Sequence, residues 1–219
     1  MRLLLINPNT SHATTAAMVG IARESAPSVE IDGMSAPFGV PLITGPAELE
    51  IGRDAVTTLM AARPPFGYQG VIIAAFGDPA LEDLRRSIAV PVTGIAEAGM
   101  AEAARHGRFA VVTTTPDLAD SIARRVEAYG HGDLFLGTVL TGGDVHQVMA
   151  DRQGLGQALL EAGRRAVREL GAKAIVIGGG PLAVAARTIA DQLPVPVIEP
   201  VPAAVRLAIR RAERNVQDL

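Results

Sequence analysis

Short runs rich in Val, Ile and Leu alternate along this chain with longer segments in which apolar residues recur at helical spacing. The short runs predict β-strands and the longer segments predict amphipathic α-helices. The strands are predicted near residues 2–6, 29–34, 70–75, 89–93, 108–113, 134–140, 173–178 and 195–199. The helices are predicted near residues 11–25, 47–62, 79–87, 97–106, 117–129, 153–170, 182–192 and 201–214. This alternation predicts an α/β fold with mostly parallel sheets.

Three stretches recur in the same order in the two halves of the chain. "RLLLINPNT", which begins at Arg2, is similar to "RFAVVTTTP", which begins 106 positions later. "VIIAAFG", which contains Ala75, is similar to "IVIGGGP", which contains Gly179, 104 positions later. "VPV" at residue 90 returns 105 positions later. The nearly equal offsets predict two similar halves, and common βαβ design without a true repeat is the alternative explanation.

Each half carries a polar loop and a turn without a reactive side chain at predicted strand ends. The polar loops contain Asn7, Asn9 and Thr10 in the first half and residues 113–115, all threonine, in the second. The turns are the two stretches that recur 104 positions apart. Ligands of open α/β sheets bind beyond the carboxyl ends of the strands, so we expect these loops to converge on one cleft.

Helix starts are expected around the same cleft. Ser11, Asp78, Pro116 and Pro181 stand at or near the starts of predicted helices. The free backbone N–H groups and positive dipole ends of those helices would favour a carboxylate, an enolate or the acidic imide of a ring.

Composition narrows the classes of partner. The net charge of −3 is small and spread out, which argues against nucleic acid and against a membrane surface. No apolar run is long enough to span a bilayer or to form a signal peptide, so we expect a cytoplasmic chain that binds a small molecule. The chain has no cysteine, and its four histidines lack metal-ligand spacing, so we predict neither disulfide nor metal site.

Five motifs spread over almost the whole chain are similar to those of the aspartate/glutamate racemase superfamily, and within it to the hydantoin and allantoin racemases. They are "INPNTS" at 6–11, "GDP" at 77–79, "PVTGIAEA" at 91–98, "VVTTTP" at 111–116 and "VPVIEPVPAAV" at 195–205. The resemblance implies two pseudo-symmetric three-layer α/β domains with an active-site cleft between them, no cofactor and a homo-oligomer. The first domain would comprise residues 1–95 and 200–219, because the C-terminal helix packs back on it, and the second residues 96–199.

The resemblance also identifies what is missing. Racemases of the family use a cysteine at each of the two equivalent turns to remove or return the α-proton from opposite faces of the substrate. Here those positions hold Ala75 and Gly179. The scaffold and the ligand-binding loops match the family, whereas racemisation by two thiols does not carry over.

Several residues are candidates for the site. The polar-loop residues Asn7, Asn9, Thr10, Thr113 and Thr114 are candidates for hydrogen bonds to a carboxylate or a ring carbonyl, and their alternative role is turn formation and helix capping. The turn residues expected to line the cleft are Ala75, Phe76, Gly179 and Gly180.

Two acidic residues are the candidates for proton transfer. Glu48 lies near the start of the second predicted helix, where a favourable first-turn charge is the alternative role. Asp78 directly precedes Pro79 and is expected to cap the helix that follows, and a cap acceptor would have a lowered pKa and be a poor base.

Two further segments receive structural interpretations. "GGGPLA" at 178–183 with Glu199 fits a dinucleotide-binding fingerprint, but too little chain follows Glu199 for the βα units that such a fold needs. "GGDVHQ" at 142–147 is expected to be a connecting loop.

Three function hypotheses remain open. The favoured one is an enzyme that acts on a small cyclic ureide or an amino-acid-derived acid by a one-sided reaction, namely hydrolysis, desulfurisation or decarboxylation, through a stabilised enolate or oxyanion. A racemase with non-cysteine acid and base groups is an alternative within the enzyme class. A catalytically inactive small-molecule-binding homologue and a dinucleotide enzyme are the other two hypotheses.

Overall fold

The computed structural model describes residues 1–217, without the side chains at positions 152–153 and 216–217. The strands are β1 (Arg2–Asn7), β2 (Glu30–Ser35), β3 (Gly70–Ile73), β4 (Val92–Gly94), β5 (Phe109–Thr113), β6 (Phe135–Leu140), β7 (Ala174–Ile177) and β8 (Val197–Ile198). The helices are α1 (His12–Ser25), α2 (Pro46–Ala62), α3 (Leu81–Ser87), α4 (Ile95–Ala104), α5 (Ala119–Ala128), α6 (Val145–Ala150), α7 (Arg152–Leu170), α8 (Ala183–Ile189) and α9 (Pro200–Gln217).

Two parallel four-stranded sheets organise the chain. The first has the strand order β2-β1-β3-β4, and the second has the corresponding order β6-β5-β7-β8. Every strand pair is parallel because a helix-containing crossover separates consecutive strands. The predicted fold class, α/β with two mostly parallel sheets, is confirmed.

Equivalent hydrogen bonds at the strand ends identify the corresponding positions in the two halves. The N–H of Ala74 donates to the carbonyl of Ile6 over 2.8 Å, and the N–H of Gly178 donates to the carbonyl of Val112 over 2.8 Å. The donors are 104 positions apart and the acceptors 106, which are the offsets found in the sequence. The residue that follows each donor therefore occupies the equivalent turn in its half.

A layer of helices joins the sheets. One buried cluster combines Leu5 and Ile72 of the first sheet, Val111 and Val176 of the second, and side chains of α1, α4 and α9. Helix α9 contacts α1, α4, β3 and β4, and α4 also contacts β7. Because α4 contacts elements of both halves, the division of the chain at 95/96 stays a prediction.

Most element boundaries agree with the sequence pattern, and two differences affect the site. The segment 142–147 was expected to be a loop, but α6 begins within it, where the Asp144 side chain accepts from the N–H groups of His146 and Gln147. Helix α3 begins at Leu81 instead of residue 79. Among residues 1–217, no helix combines the length and the apolar character needed to cross a bilayer.

Candidate active site

A cleft lies between the two halves, at the carboxyl ends of β1, β3, β5 and β7. It holds about 580 Å³ of space that no protein atom fills, a volume that includes open solvent at its mouth. The strand ends and the turns that follow them contribute Asn9, residues 74–76, residues 113–115 and residues 178–180. The other lining residues, which we call its apolar wall, are Leu42, Ile43, Leu49, Leu118, Ile122, Val145, Met149, Pro181 and Leu182.

Most of the residues expected to bind the ligand line this cleft. They are Asn9, Ala75, Phe76, Thr113, Thr114, Gly179 and Gly180. The apolar residues of the β2–α2 loop and of α6 were not predicted, because isolated apolar positions in loops have no periodicity that marks them. Ala75 and Gly179 occupy the two equivalent turns and line the same cleft.

Asn7 and Thr10 were expected in the cleft but do not line it. Asn7 is fully buried, and its Nδ2 donates to Asn9 Oδ1 over 2.7 Å and to Thr15 Oγ1 over 3.0 Å. Asn9 Oδ1 also accepts from the N–H of Ser11 over 2.9 Å. Since its carbonyl oxygen already has two donors, Asn9 presents its amide NH₂ to the cleft. Thr10 donates its N–H to the carbonyl of Val40 and does not line the cleft.

The three consecutive threonines differ in what their hydroxyls do. Thr113 Oγ1 donates to the carbonyl of Gly178 over 2.7 Å and is 3.0 Å from Thr115 Oγ1, so these two groups hold the facing strand ends together. The hydroxyl of Thr114 bonds to no other residue of the described chain. Thr114 therefore offers a free hydroxyl to a ligand.

Residues that line the cleft in both halves carry backbone N–H groups without an acceptor among the described residues. Those of Ala75, Phe76, Thr114 and Thr115 have no acceptor among the described residues, although all four residues are buried. Buried backbone donors in native proteins are almost always paired. Unpaired donors on both sides of a cleft thus point to a ligand that supplies oxygen acceptors.

The glycine run of the second turn allows the first half to approach closely. A Cβ at Gly178 would lie 3.2 Å from ring carbons of Phe76, and one at Gly180 would lie 2.6 Å from Met18 Sδ. Glu199, the acidic residue of the dinucleotide fingerprint, accepts from Arg187 Nε over 2.8 Å. The glycines serve the packing of the two halves, which argues against dinucleotide binding.

Glu48 does not line the cleft. Its Oε2 accepts from the N–H of Thr44 over 2.7 Å, from the Thr44 hydroxyl over 2.9 Å and from the N–H of Gly45 over 2.6 Å. Partial burial raises the pKa of this carboxyl, but these hydrogen bonds outweigh burial and leave the pKa below its ordinary value. Glu48 is thus an ionised cap of α2, and this geometry favours its alternative structural role.

Asp78 is also outside the cleft, and two expectations for it are wrong. It does not cap the helix after Pro79. Its carboxylate caps α4 instead, accepting from the N–H groups of Ala96 over 2.9 Å and Glu97 over 2.7 Å. Burial raises its pKa to about 6 despite these hydrogen bonds and one from Tyr129, whereas capping alone was expected to lower it.

No residue that lines the cleft in the described chain carries an acidic, basic or thiol side chain. The site therefore combines hydrogen-bond donors from both halves of the chain with an apolar wall. Such a site can hold a planar polar ring and stabilise negative charge on its oxygens, without a side-chain group that removes a proton.

Comparison with known proteins agrees with this architecture. A model of the family described as Asp/Glu/Hydantoin racemase matches residues 3–208. A hydantoin racemase of Paenarthrobacter aurescens is 30% identical over 214 residues, which cover 95% of this chain and 89% of that protein. The structure of allantoin racemase from Klebsiella pneumoniae is 36% identical, with a TM-score of 0.89 over 96% of this chain and 86% of that one. That of allantoin racemase from Pseudomonas fluorescens is 28% identical, with a TM-score of 0.91 over 98% and 92%.

Proposed function

Because the chain belongs to the Asp/Glu/hydantoin racemase family, a family of enzymes, we propose that it acts without a cofactor on a small cyclic ureide of the hydantoin type in the cleft between its sheets. The observation that carries this proposal is the set of unpaired backbone donors at Ala75, Phe76, Thr114 and Thr115. A ureide ring carries carbonyl oxygens that these donors can bind.

The same donors would stabilise a ring carbonyl that becomes an enolate. They come from both halves of the chain, and the Thr114 hydroxyl and the Asn9 amide add side-chain donors. Removing one well-placed donor of this kind typically costs about 3 kcal/mol of transition-state stabilisation. Fixed backbone donors act without reorganisation, so this site suits a reaction in which negative charge develops on the ring.

We further propose that the reaction does not use two side-chain bases. Racemisation by proton transfer needs an acid and a base on opposite faces of the substrate, each with a suitable pKa. The two equivalent turns hold Ala75 and Gly179, and no other lining residue in the described chain supplies such a group. We therefore expect 5-substituted hydantoins to be racemised far more slowly than by a two-thiol enzyme.

Among one-sided reactions, loss of a carboxylate from the ring carbon needs the fewest catalytic side chains from the protein. The bond between the ring carbon and the carboxylate breaks, CO₂ leaves, and the electron pair enters the ring as an enolate. Water then delivers a proton to the carbon. Hydrolysis and desulfurisation require an activated water molecule and thus a base, which makes them second to decarboxylation for this site.

The test is a substrate panel in heavy water with the purified protein. It contains enantiopure 5-alkylhydantoins, their 5-carboxylates, thiohydantoins and allantoin, followed by polarimetry, proton NMR and chiral chromatography. We expect the 5-carboxylates to lose CO₂ and to gain one deuterium at the ring carbon, while the alkylhydantoins keep their optical rotation. Rapid loss of optical rotation would instead establish racemisation by other groups, and ligand binding without any product would identify a binding homologue.

A further inference from the structure

Asp78 is a fully buried carboxylate that joins three parts of the molecule. It belongs to the turn after β3, which carries Ala75 and Phe76, and it accepts from two N–H groups at the start of α4. Its Oδ2 also accepts from the hydroxyl of Tyr129, which follows α5 in the second half, over 2.6 Å. Burial and the Asp78 carboxylate raise the pKa of Tyr129, so its hydroxyl stays protonated and able to donate.

The turn that carries Asp78 has an unusual backbone. Asp78 and Ala80 have φ angles of 47° and 66°, which residues other than glycine rarely adopt. Such conformations persist only where the surroundings hold them. The backbone N–H of Asp78 donates to the carbonyl of Ala75 over 3.0 Å, so the residue that anchors this turn is bonded directly to the residue that faces the cleft.

We propose that Asp78 is a positioning residue of the cleft: its carboxylate, held by Tyr129 and by the start of α4, fixes the turn that presents the N–H groups of Ala75 and Phe76. It does not contact the ligand. The part of this proposal that concerns ligand affinity rests on the proposed function, whereas the part that concerns the geometry of the turn does not.

Protonation of Asp78 should weaken the hydrogen bonds that fix the turn. An ionised carboxylate accepts all three hydrogen bonds, whereas a protonated one loses acceptor capacity on one oxygen. Since the pKa of Asp78 is raised to about 6, we expect the turn to be fixed above this pH and to loosen below it. The environment of the Ala75 and Phe76 amides should change accordingly.

The titration of Asp78 must be distinguished from that of other charged groups nearby. Around it lie Glu97 of α4, Tyr129, and the arginines that pair with Glu97, Arg85 of α3 and Arg211 of α9, while Arg125 of α5 acts on Tyr129. Arginines stay charged, and the pKa of Glu97 is lowered, so none of these titrates near pH 6. Burial lowers the pKa of His131, which borders the same groove as Tyr129, from 6.5. His131 is therefore the group whose titration must be distinguished from that of Asp78.

The experiment follows the backbone amide signals of Ala75 and Phe76 by NMR between pH 4.5 and 8. In the unmodified protein we expect them to titrate with a midpoint near pH 6. Asp78→Asn should abolish that titration while His131 remains in place. Tyr129→Phe removes a hydrogen bond to the charged form, which should raise the midpoint by about one pH unit.

Tyr68→Phe is the matched control. Tyr68 is the other tyrosine of the chain, and its hydroxyl donates to an aspartate, Asp32 Oδ2, over 2.9 Å, away from the cleft. The Tyr68→Phe variant should leave the midpoint of the amide titration unchanged. The proposal is overturned if the two amides do not titrate in this range, if they titrate equally in Asp78→Asn, or if both tyrosine variants move the midpoint alike.

A second measurement adds 5-benzylhydantoin to the same samples. We expect its affinity for the unmodified protein to be at least three-fold lower at pH 5 than at pH 7.5, and we expect no such difference in Asp78→Asn. Equal affinities at both pH values in the unmodified protein would refute the link between turn and ligand. Absence of binding at either pH would contradict the proposed function, and the amide titration would still decide the role of Asp78.

Discussion

The hydroxyl of Thr114 can be removed with little effect on the rest of the cleft. Thr113 and Thr115 hold strand ends together, but the Thr114 hydroxyl bonds to no other residue of the described chain. Thr114→Val keeps the shape of the side chain and removes only this group. We expect the affinity for a 5-substituted hydantoin to fall about five- to ten-fold, the equivalent of one hydrogen bond. Isothermal titration calorimetry measures this change, and an unchanged affinity would show that the hydroxyl does not contact the ligand.

Thr138 provides both a control and a separate prediction. Its Oγ1 is buried and has no hydrogen-bond partner among the described residues, a situation that costs free energy. Thr138→Val removes the unpaired group and keeps a β-branched side chain in β6. We expect the free energy of unfolding in urea to rise by about 1 kcal/mol, with ligand affinity unchanged. A lower free energy of unfolding would mean that the hydroxyl has a partner in solution, such as water.

Sequence reasoning identified the polar positions of the cleft better than their roles. Asn7 and Asn9 are the same residue type in one loop, yet one is a buried support and the other lines the cleft. Only the three-dimensional path of the loop decides between them. The role of Asp78 depends on partners 18, 19 and 51 positions away, at Ala96, Glu97 and Tyr129. A capping rule that considers neighbouring residues assigns such an aspartate to the wrong helix.

Helices α4 and α9 are joined by an ion-pair network centred on Glu97. Its carboxylate accepts from Arg211 of α9 over 2.7 and 2.8 Å and from Arg85 of α3 over 2.8 Å. Burial raises the pKa of Glu97, but the two arginines outweigh burial and hold the pKa below its ordinary value. The network therefore stabilises the fold when Glu97 is ionised, by an amount that its partial exposure reduces.

Glu97→Gln tests this network through its pH dependence. At pH 7 we expect the variant to be less stable by about 1–3 kcal/mol, because two guanidinium groups lose their carboxylate. A lowered native pKa contributes stability above the unfolded-state pKa, and that contribution is lost as the pH falls through the native value. The difference between the two proteins should thus shrink below about pH 4.5. Urea unfolding at a series of pH values measures it, and a difference that does not change with pH would exclude this origin.

The boundaries of the elements show what local patterns can and cannot predict. Strands β1 and β5 are apolar runs that end at polar residues, and both were located within one residue. Helix α4 begins two residues earlier than predicted because its first turn is capped by Asp78, far away in the sequence. Helix α6 was missed because its six residues have too little periodicity to distinguish a short helix from a loop.

The two halves of the molecule together make a site that neither half has alone. The offsets of the repeated stretches predicted this pairing, because equivalent strand ends in two parallel sheets place equivalent turns at comparable positions. The apolar wall of the cleft was not predictable in this way. It consists of Leu42, Ile43, Val145 and Met149 from segments that are not similar in the two halves.

The symmetry of the turns leads to a last prediction, that thiols restored at both turns create a racemase. Ala75→Cys combined with Gly179→Cys would place one proton-transfer group in each half, on the two equivalent turns that line the cleft. A Cβ at position 179 would lie 3.1 Å from Leu182 Cγ, so the Leu182 side chain must shift by a few tenths of an ångström. Since a positioned acid or base contributes about 10²–10⁴-fold, we expect racemisation of 5-substituted hydantoins at least a hundred-fold faster than in the unmodified protein. The matched control carries serine at both positions, which has nearly the same size but does not ionise near neutral pH. Loss of optical rotation measures the rate, and equal rates in the cysteine and serine variants would show that the two turns do not reach opposite faces of the ring.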